Sequence, residues 1–152
     1  MKEYRHIVRI AGTDIEGSKK LVYGLAEIKG LGVSFANAIV NMIKLNPNLR
    51  IGELTGEQVA LIEDAINNPA KYNISVWLYN QRKELYTGKD IHLIGSDLEL
   101  KEKMNIELMK SIKCWKGVRH SLGLKVRGQR TRTTGRKGRA VGVKKREVAV
   151  KK

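Results

Sequence analysis

Charge divides this chain into two parts, and only one of them can form a hydrophobic core. From Lys113 to Lys152 there are fifteen Lys or Arg and one acid, Glu147, whereas the first 112 residues carry fifteen basic and fourteen acidic side chains. Almost all of the formal net charge of +15 therefore lies in the last forty residues. A stretch so dense in one sign repels itself and has too little apolar surface to offset the entropy lost on ordering. It is expected to be an extended tail whose natural partner is a polyanion. The core must come from the near-neutral part, which is long enough to bury one.

Helical spacing recurs through that part. Between Ser18 and Ile28, the residues Leu21, Leu25 and Ile28, with Val22 beside them, predict a short amphipathic helix ended by Lys29-Gly30-Leu31-Gly32. Ser34 is placed to cap a second helix with Phe35, Ile39, Met42 and Ile43 on one face, stopping near Asn46-Pro47-Asn48. Thr55 and Gln58 form a capping box for a third, with Leu54 and Val59 spaced for a hydrophobic staple. Val59, Ile62 and Ile66 are its core face, and Asn67-Asn68-Pro69 closes it.

Two apolar runs, Ile74 to Tyr79 and Ile91 to Ile94, flank the turn residues Thr87-Gly88-Lys89-Asp90 and predict a small β-hairpin. Ser96 and Glu99 make another capping box, opening a fourth helix to about Lys113, striped by Leu100, Met104 and Leu108, with Glu99 spaced to pair with Lys103. At the start of the chain, Ile7, Val8 and Ile10 are expected to tuck against the body while Arg5 and Arg9 stay outside. The expected organisation is mainly α: a helical body over 1–72, a β-hairpin insertion over 73–95, a long helix over 96–117 and an extended Arg/Gly-rich tail over 118–152.

Several function classes find no support. The single cysteine, Cys114, excludes an internal disulfide framework and fits a reducing compartment. No apolar run approaches the roughly 20 residues that span a bilayer, and the N-terminus shows no signal-peptide core. A membrane-surface role is disfavoured because the tail lacks a large apolar face. His6, His92 and His120 are scattered, and Cys114 has no His or Cys at ligand spacing, so neither a metal site nor a cofactor is expected. Paired carboxylates such as Glu63-Asp64 read as a solvated helix surface. With no nucleophile motif in the chain, no catalysis is expected.

Two stretches remain as binding candidates. The glycines of Lys29-Gly30-Leu31-Gly32 would let backbone approach a phosphate at the free N–H groups of the second helix, with Lys29 adding charge. An ordinary tight helix connection explains the same residues. In the tail, Arg119, Arg127, Arg130, Arg132, Arg136 and Arg139 carry planar forks that match phosphate, and glycines between them reduce bulk. Trp115 is the only Phe, Trp or Tyr after Tyr86, which favours contact with phosphates and RNA shape over reading of bases. The competing explanation is a solvated tail without a specific partner.

The string Lys116-Gly117-Val118-Arg119-His120, followed by Gly123-Leu124-Lys125-Val126-Arg127-Gly128-Gln129-Arg130-Thr131-Arg132-Thr133, resembles the signature of the small-subunit ribosomal protein thirteen family. Arg9-Ile10-Ala11-Gly12 and Ile28-Lys29-Gly30-Leu31-Gly32 match it too, so the resemblance covers nearly the whole chain in order. Lys125 stands where bacterial members usually have proline. That difference, the Asn73 to Ile94 segment and Thr134-Gly135-Arg136-Lys137-Gly138-Arg139 are similar to the archaeal and eukaryotic branch. Residues 146–152 run past the family's usual end.

The resemblance implies a helix-two-turns-helix body with a long helix and an extended tail, and a structural role without enzymatic activity. It implies ribosomal RNA of the small-subunit head as partner, with the head protein nineteen, large-subunit components at intersubunit bridges and transfer RNA at the P site as further contacts. The expected RNA-binding residues are Lys29, Gly30, Gly32, Arg119, His120, Arg127, Gly128, Gln129, Arg130, Arg132, Thr133, Arg136, Lys137 and Arg139. Lys144 and Lys145 are expected nearest transfer RNA, and the place of work is the cytoplasmic ribosome. A DNA-binding helix-two-turns-helix repair protein and a chromatin-type DNA compactor are the rival classes.

Overall fold

The structure, a computed structural model, describes residues 4–135. The chain divides between residues 102 and 103 into two compact units. Expectations for Arg136, Lys137, Arg139, Lys144, Lys145 and residues 146–152 lie outside the described residues.

The first unit opens with an antiparallel hairpin, β1 (Ile7–Ile10) and β2 (Thr13–Glu16), paired from Ile7↔Glu16 to Ile10↔Thr13. Its two turn residues, Ala11 and Gly12, have φ of 47° and 77°. Positive φ at both positions gives the turn a twist that matches the strands it joins. The sequence conceals this hairpin because alanine stands where Asn or Asp would signal such a turn. Alternation then buries Val8, Ile10 and Ile15. Ile7 is on the other face and 68% exposed, so it does not tuck against the body.

Helix α1 (Leu21–Leu25) is shorter than the Ser18 to Ile28 spacing suggests. The residues before it pair instead with a distant turn: Leu21 N–H donates to Leu49 O (2.9 Å), and Ile51 N–H to Lys19 O (3.0 Å). Its apolar face is nonetheless as expected, with Leu21, Leu25 and Ile28 fully buried. Helix α2 (Val33–Ile43) is capped by Gly32, not by Ser34. Gly32 is extended (φ −99°, ψ 168°) and its carbonyl accepts from Ala36 N–H at 2.9 Å, which places Ser34 inside the first turn.

α2 ends before Asn46 because Lys44 adopts left-handed φ of 58°, with Lys44 N–H donating to Asn41 O and Leu45 N–H to Val40 O. This is the paired reversal that satisfies the last helical carbonyls. Phe35 and Ile39 are buried as expected, whereas Met42 is 49% exposed.

Two turns come next, closed by Leu49 N–H to Asn46 O (3.1 Å) and Leu54 N–H to Ile51 O (3.2 Å). They lead into helix α3 (Gly56–Asn67), which completes a helix-two-turns-helix body. Its capping box forms as the sequence indicates: Gln58 N–H donates to Thr55 Oγ1 (3.3 Å) and Thr55 N–H to Gln58 Oε1 (3.0 Å). Ile62 and Ile66 are buried, and Val59 packs partly buried against the same core.

Residues 73–95 do not form the expected hairpin. Ile74 and Tyr79 are both buried, five residues apart, and that spacing is incompatible with the two-residue alternation of a strand. Val76–Leu78 is a 3-10 turn, and the two apolar runs meet in one isolated bridge, Gln81↔Ile91. Beyond the bridge a side chain replaces the ladder. Asn80 Nδ2 donates to Leu93 O (2.6 Å) and Leu93 N–H donates to Asn80 Oδ1 (2.9 Å).

Helix α4 (Gly95–Ser111) starts one residue ahead of Ser96, with Gly95 N–H donating to Lys29 O at 2.8 Å. None of its residues is buried, so its expected apolar stripe is not a core face: Leu100 is 59% and Met104 52% exposed. The helix breaks before Lys113, whose φ is 56°, and a separate helix α5 (Trp115–Ser121) begins just beyond it. The expected single helix to residue 117 is thus two helices. The mainly helical class stands, and the two-stranded antiparallel hairpin among the described residues is the N-terminal one in place of that expected over 73–95.

Candidate nucleic-acid interface

The second unit is organised around α5. Cys114 caps this helix: its Sγ accepts from Gly117 N–H (3.4 Å) and its thiol donates to Met109 O (3.3 Å). Gly117 is buried where α5 turns back on the end of α4, and a Cβ there would stand 2.0 Å from Met109 O. The lone cysteine therefore has a structural task, as a small cap with one weak donor and one weak acceptor.

α5 ends in a complete reversal. Gly123, at φ of 63°, donates to His120 O (3.1 Å), and Leu124 N–H donates to Arg119 O (2.9 Å). Arg119 then secures the first residues beyond the helix. Its Nε donates to Lys125 O at 2.9 Å and its guanidinium lies 5.7 Å from the Trp115 ring centroid. Sequence reasoning placed Arg119 among RNA contacts and missed this positioning role. The Arg/Trp spacing of four residues, one helical turn, was the available signal.

After Leu124 the described chain has no regular secondary structure, and Arg127, Gly128, Gln129, Arg130, Arg132 and Thr133 are all exposed. Gly128 has φ of 70°, and Thr134 Oγ1 donates to Arg130 O. From Lys113 to Gly135 there are seven Lys or Arg and no acid. His120 is half-buried on α5 rather than in the extended segment. The tail candidates among the described residues thus share one acid-free stretch of sequence, with Arg119 and His120 at its base.

The glycine turn in the first unit lies differently. A Cβ on Gly30 would stand 2.5 Å from Leu93 O and 3.1 Å from Ile94 Cα, so this glycine faces its own chain. Lys29 Nζ bonds Glu99 Oε1 at 2.6 Å, which raises the lysine pKa chiefly through that hydrogen bond. Only Gly32 looks into open space, exposed and with nothing within 4 Å of an added Cβ. The turn is half structural connection and half open helix N-terminus.

The adjacent carboxylates Glu63 and Asp64 also have structural tasks, contrary to their reading as a merely solvated pair. Glu63 Oε1 accepts from Ala11 N–H in the hairpin turn (2.9 Å). Asp64 accepts from Lys71, Tyr72 and Asn68 at 2.6, 2.7 and 2.9 Å, and these bonds hold its carboxyl at a pKa of about 2. Among the described residues, no group of three His, Cys, Asp or Glu is placed to hold a metal ion. No helix among them is long and apolar enough to cross a membrane.

His92 is a neutral packing residue. Its ring stacks on Phe35 with centroids 3.8 Å apart and planes 5° from parallel, and its Nδ1 accepts from Asn80 N–H at 3.4 Å. Burial lowers its pKa to about 4, outweighing the Gly30 backbone, which favours the charged ring. No acceptor among the described residues meets its Nε2 at hydrogen-bonding geometry.

The unfolded chain protonates this histidine near its ordinary value of 6.5, before the folded chain does. Its contribution to stability is therefore present above that pH and is lost as pH falls toward about 4. Allowing for partial solvent access, the loss is roughly 2 kcal/mol. Urea unfolding at pH 7 and pH 4.5 should show the parent losing that much more stability than His92→Gln. Equal losses in both proteins would remove His92 as the cause.

The sequence matches the family model for ribosomal protein S13/S18 over residues 9–137. It is 58% identical over 135 residues to the small ribosomal subunit protein uS13 of Staphylothermus marinus, covering 89% of each chain. Identity to the protein of that name from Hyperthermus butylicus is 53% over 135 residues, again 89% of each. For that of Methanocaldococcus jannaschii it is 45% over 134 residues, 88% of this chain and 89% of the relative.

Proposed function

Because the chain belongs to the ribosomal protein S13/S18 family, we propose that its acid-free segment after α5 binds ribosomal RNA through the phosphates. The chain is an archaeal-type, structural and non-enzymatic protein of the small ribosomal subunit. One observation carries the finer reading: Lys113 to Gly135 holds seven cations and no acid, and every residue from Lys125 onward in that stretch except Val126 is exposed. Arginine forks on such a segment take phosphate oxygens two at a time, and displaced counterions supply much of the affinity.

In this reading α5 is the anchor. The Arg119 to Lys125 bond and the Gly123 reversal aim the segment, and Arg127, Gly128, Gln129, Arg130, Arg132 and Thr133 meet RNA. Arg136, Lys137 and Arg139 continue the contact, with Lys144 and Lys145 nearest P-site transfer RNA. The open Gly32 end of α2 is a second, smaller phosphate contact. Placement in the head beside protein nineteen and at intersubunit bridges of the cytoplasmic ribosome belongs to the same proposal. Its support is the family membership.

The test is sedimentation of a tagged copy with ribosomal particles. The tagged chain should travel with small subunits and remain there through a wash at moderate salt. A tag found only at the top of the gradient would remove the assignment to the subunit.

A further inference from the structure

The segment between α3 and α4 presents a surface that the tail has no use for. Trp77 and Tyr86 are 70% and 77% exposed there, with Val76 and Leu85 at 46% and 75%. Large apolar side chains grouped on one exposed loop mark an interaction surface.

The loop is built to hold its shape. Gln81 and Ile91 exchange both backbone bonds (3.3 and 2.9 Å), Glu84 N–H donates to Lys89 O (3.0 Å), and Gly88 N–H donates to Glu84 O (2.7 Å). Both acids are engaged within the protein. Glu84 is held by Lys101 in a largely buried ion pair and by Thr87, while Asp90 Oδ1 accepts from Lys83 N–H at 2.8 Å. Among the described residues, the side chains of Arg82, Lys83 and Lys89 meet no acceptor. Val76, Arg82, Lys83 and Asp90 line one concavity of about 470 Å³, within the range of small-ligand sites, roughly 300–1,000 Å³.

We propose that this loop binds an unpaired RNA nucleotide, with its phosphate on Arg82 and Lys83 and its base against Val76 and the exposed indole of Trp77. Pre-formed loops that combine cations with free aromatic faces suit single-stranded RNA, because every base has a face to stack and a phosphate beside it. An acidic peptide would satisfy the cations but leave the Trp77 indole without a partner of matching shape, whereas Tyr86 already has the Lys101 ammonium 5.9 Å from its ring centroid. Asp90, an acceptor only, keeps phosphate to the Arg82–Lys83 side and accepts from a base amino group. The proposal rests on the chain being an RNA binder, and it adds base stacking to a protein whose tail reads phosphates.

The experiment uses the full chain with Trp115→Phe, which leaves Trp77 as the sole indole of two. A labelled single-stranded RNA of about ten nucleotides, a length in the range of known single-strand sites, is titrated while anisotropy and indole fluorescence are both followed. RNA should quench Trp77, while inorganic polyphosphate and polyglutamate, which also bind cations, should not. Adding Arg82→Gln and Lys83→Gln should weaken the quenching transition and lower its salt slope by about 0.7, the value for one single-strand phosphate. RNA binding without any change in Trp77 would overturn the loop site and leave the tail reading standing. Quenching by polyglutamate equal to that by RNA would overturn it in favour of a protein partner. No RNA binding at low salt would overturn both readings together.

Discussion

Cutting the chain after Val126 should leave a folded protein with most of its RNA affinity and salt dependence gone. The cut keeps the Lys125 carbonyl that Arg119 Nε holds, and it keeps the Leu124 N–H that closes α5 on Arg119 O. It removes eleven Lys or Arg and one acid. Arg127, Arg130 and Arg132 alone would account for about 2.7 in the slope of log affinity against log salt, from about 0.9 per phosphate on a duplex. If the other removed cations engage as well, the parent should lose roughly a thousandfold or more in affinity between about 50 and about 200 mM salt, the scale set by six or more phosphate contacts, and the truncate should not. Circular dichroism should be unchanged beyond the missing residues. A folded truncate that binds a structured ribosomal RNA fragment with the parent's salt slope would show that the body, not the tail, holds the phosphates.

One physical division separates the features the sequence revealed from those it concealed. Local chemistry was legible: the Thr55–Gln58 box forms as written, because both of its bonds lie within four consecutive residues. Core faces were legible where helical spacing was regular, as for Leu21, Leu25, Ile39, Ile62 and Ile66, all essentially fully buried. The charge split likewise located the candidate interface without any structure.

Features that depend on distant partners were not legible. α1 loses its first turn to a pairing with Leu49 and Ile51, residues some thirty positions away. The stretch from Ile74 to Tyr79 has β-rich composition, yet two buried anchors five residues apart override it. The role of Cys114 as a cap was also invisible, since sulfur is not a common capping group and its second partner, Met109 O, is on another helix. By sequence Lys29 is a charge offered to phosphate, but Glu99, seventy positions later, already bonds it.

The glycine turn shows how that division separates two residues of one motif. Gly30→Ala should destabilise the protein by roughly 3 kcal/mol or more, combining a backbone conformation that disfavours side chains with a collision against backbone. Its φ is 100°, and the new Cβ would stand 2.5 Å from Leu93 O, in the segment that leads into α4. Neither contact can be relieved by a rotamer change. Gly32→Ala meets nothing within 4 Å and keeps an ordinary extended φ of −99°, so its cost is limited to a poorer cap, at most about 1 kcal/mol. Unfolding by urea should therefore separate the two variants by about 2 kcal/mol or more. RNA affinity supplies the second axis. If the open N-terminus of α2 takes a phosphate, Gly32→Val should weaken RNA binding at undiminished helix content, because the branched side chain blocks the approach to the free amides. Full affinity in a folded Gly32→Val protein would reduce the motif to a helix connection, with Gly30 required for packing and Gly32 for nothing beyond its cap.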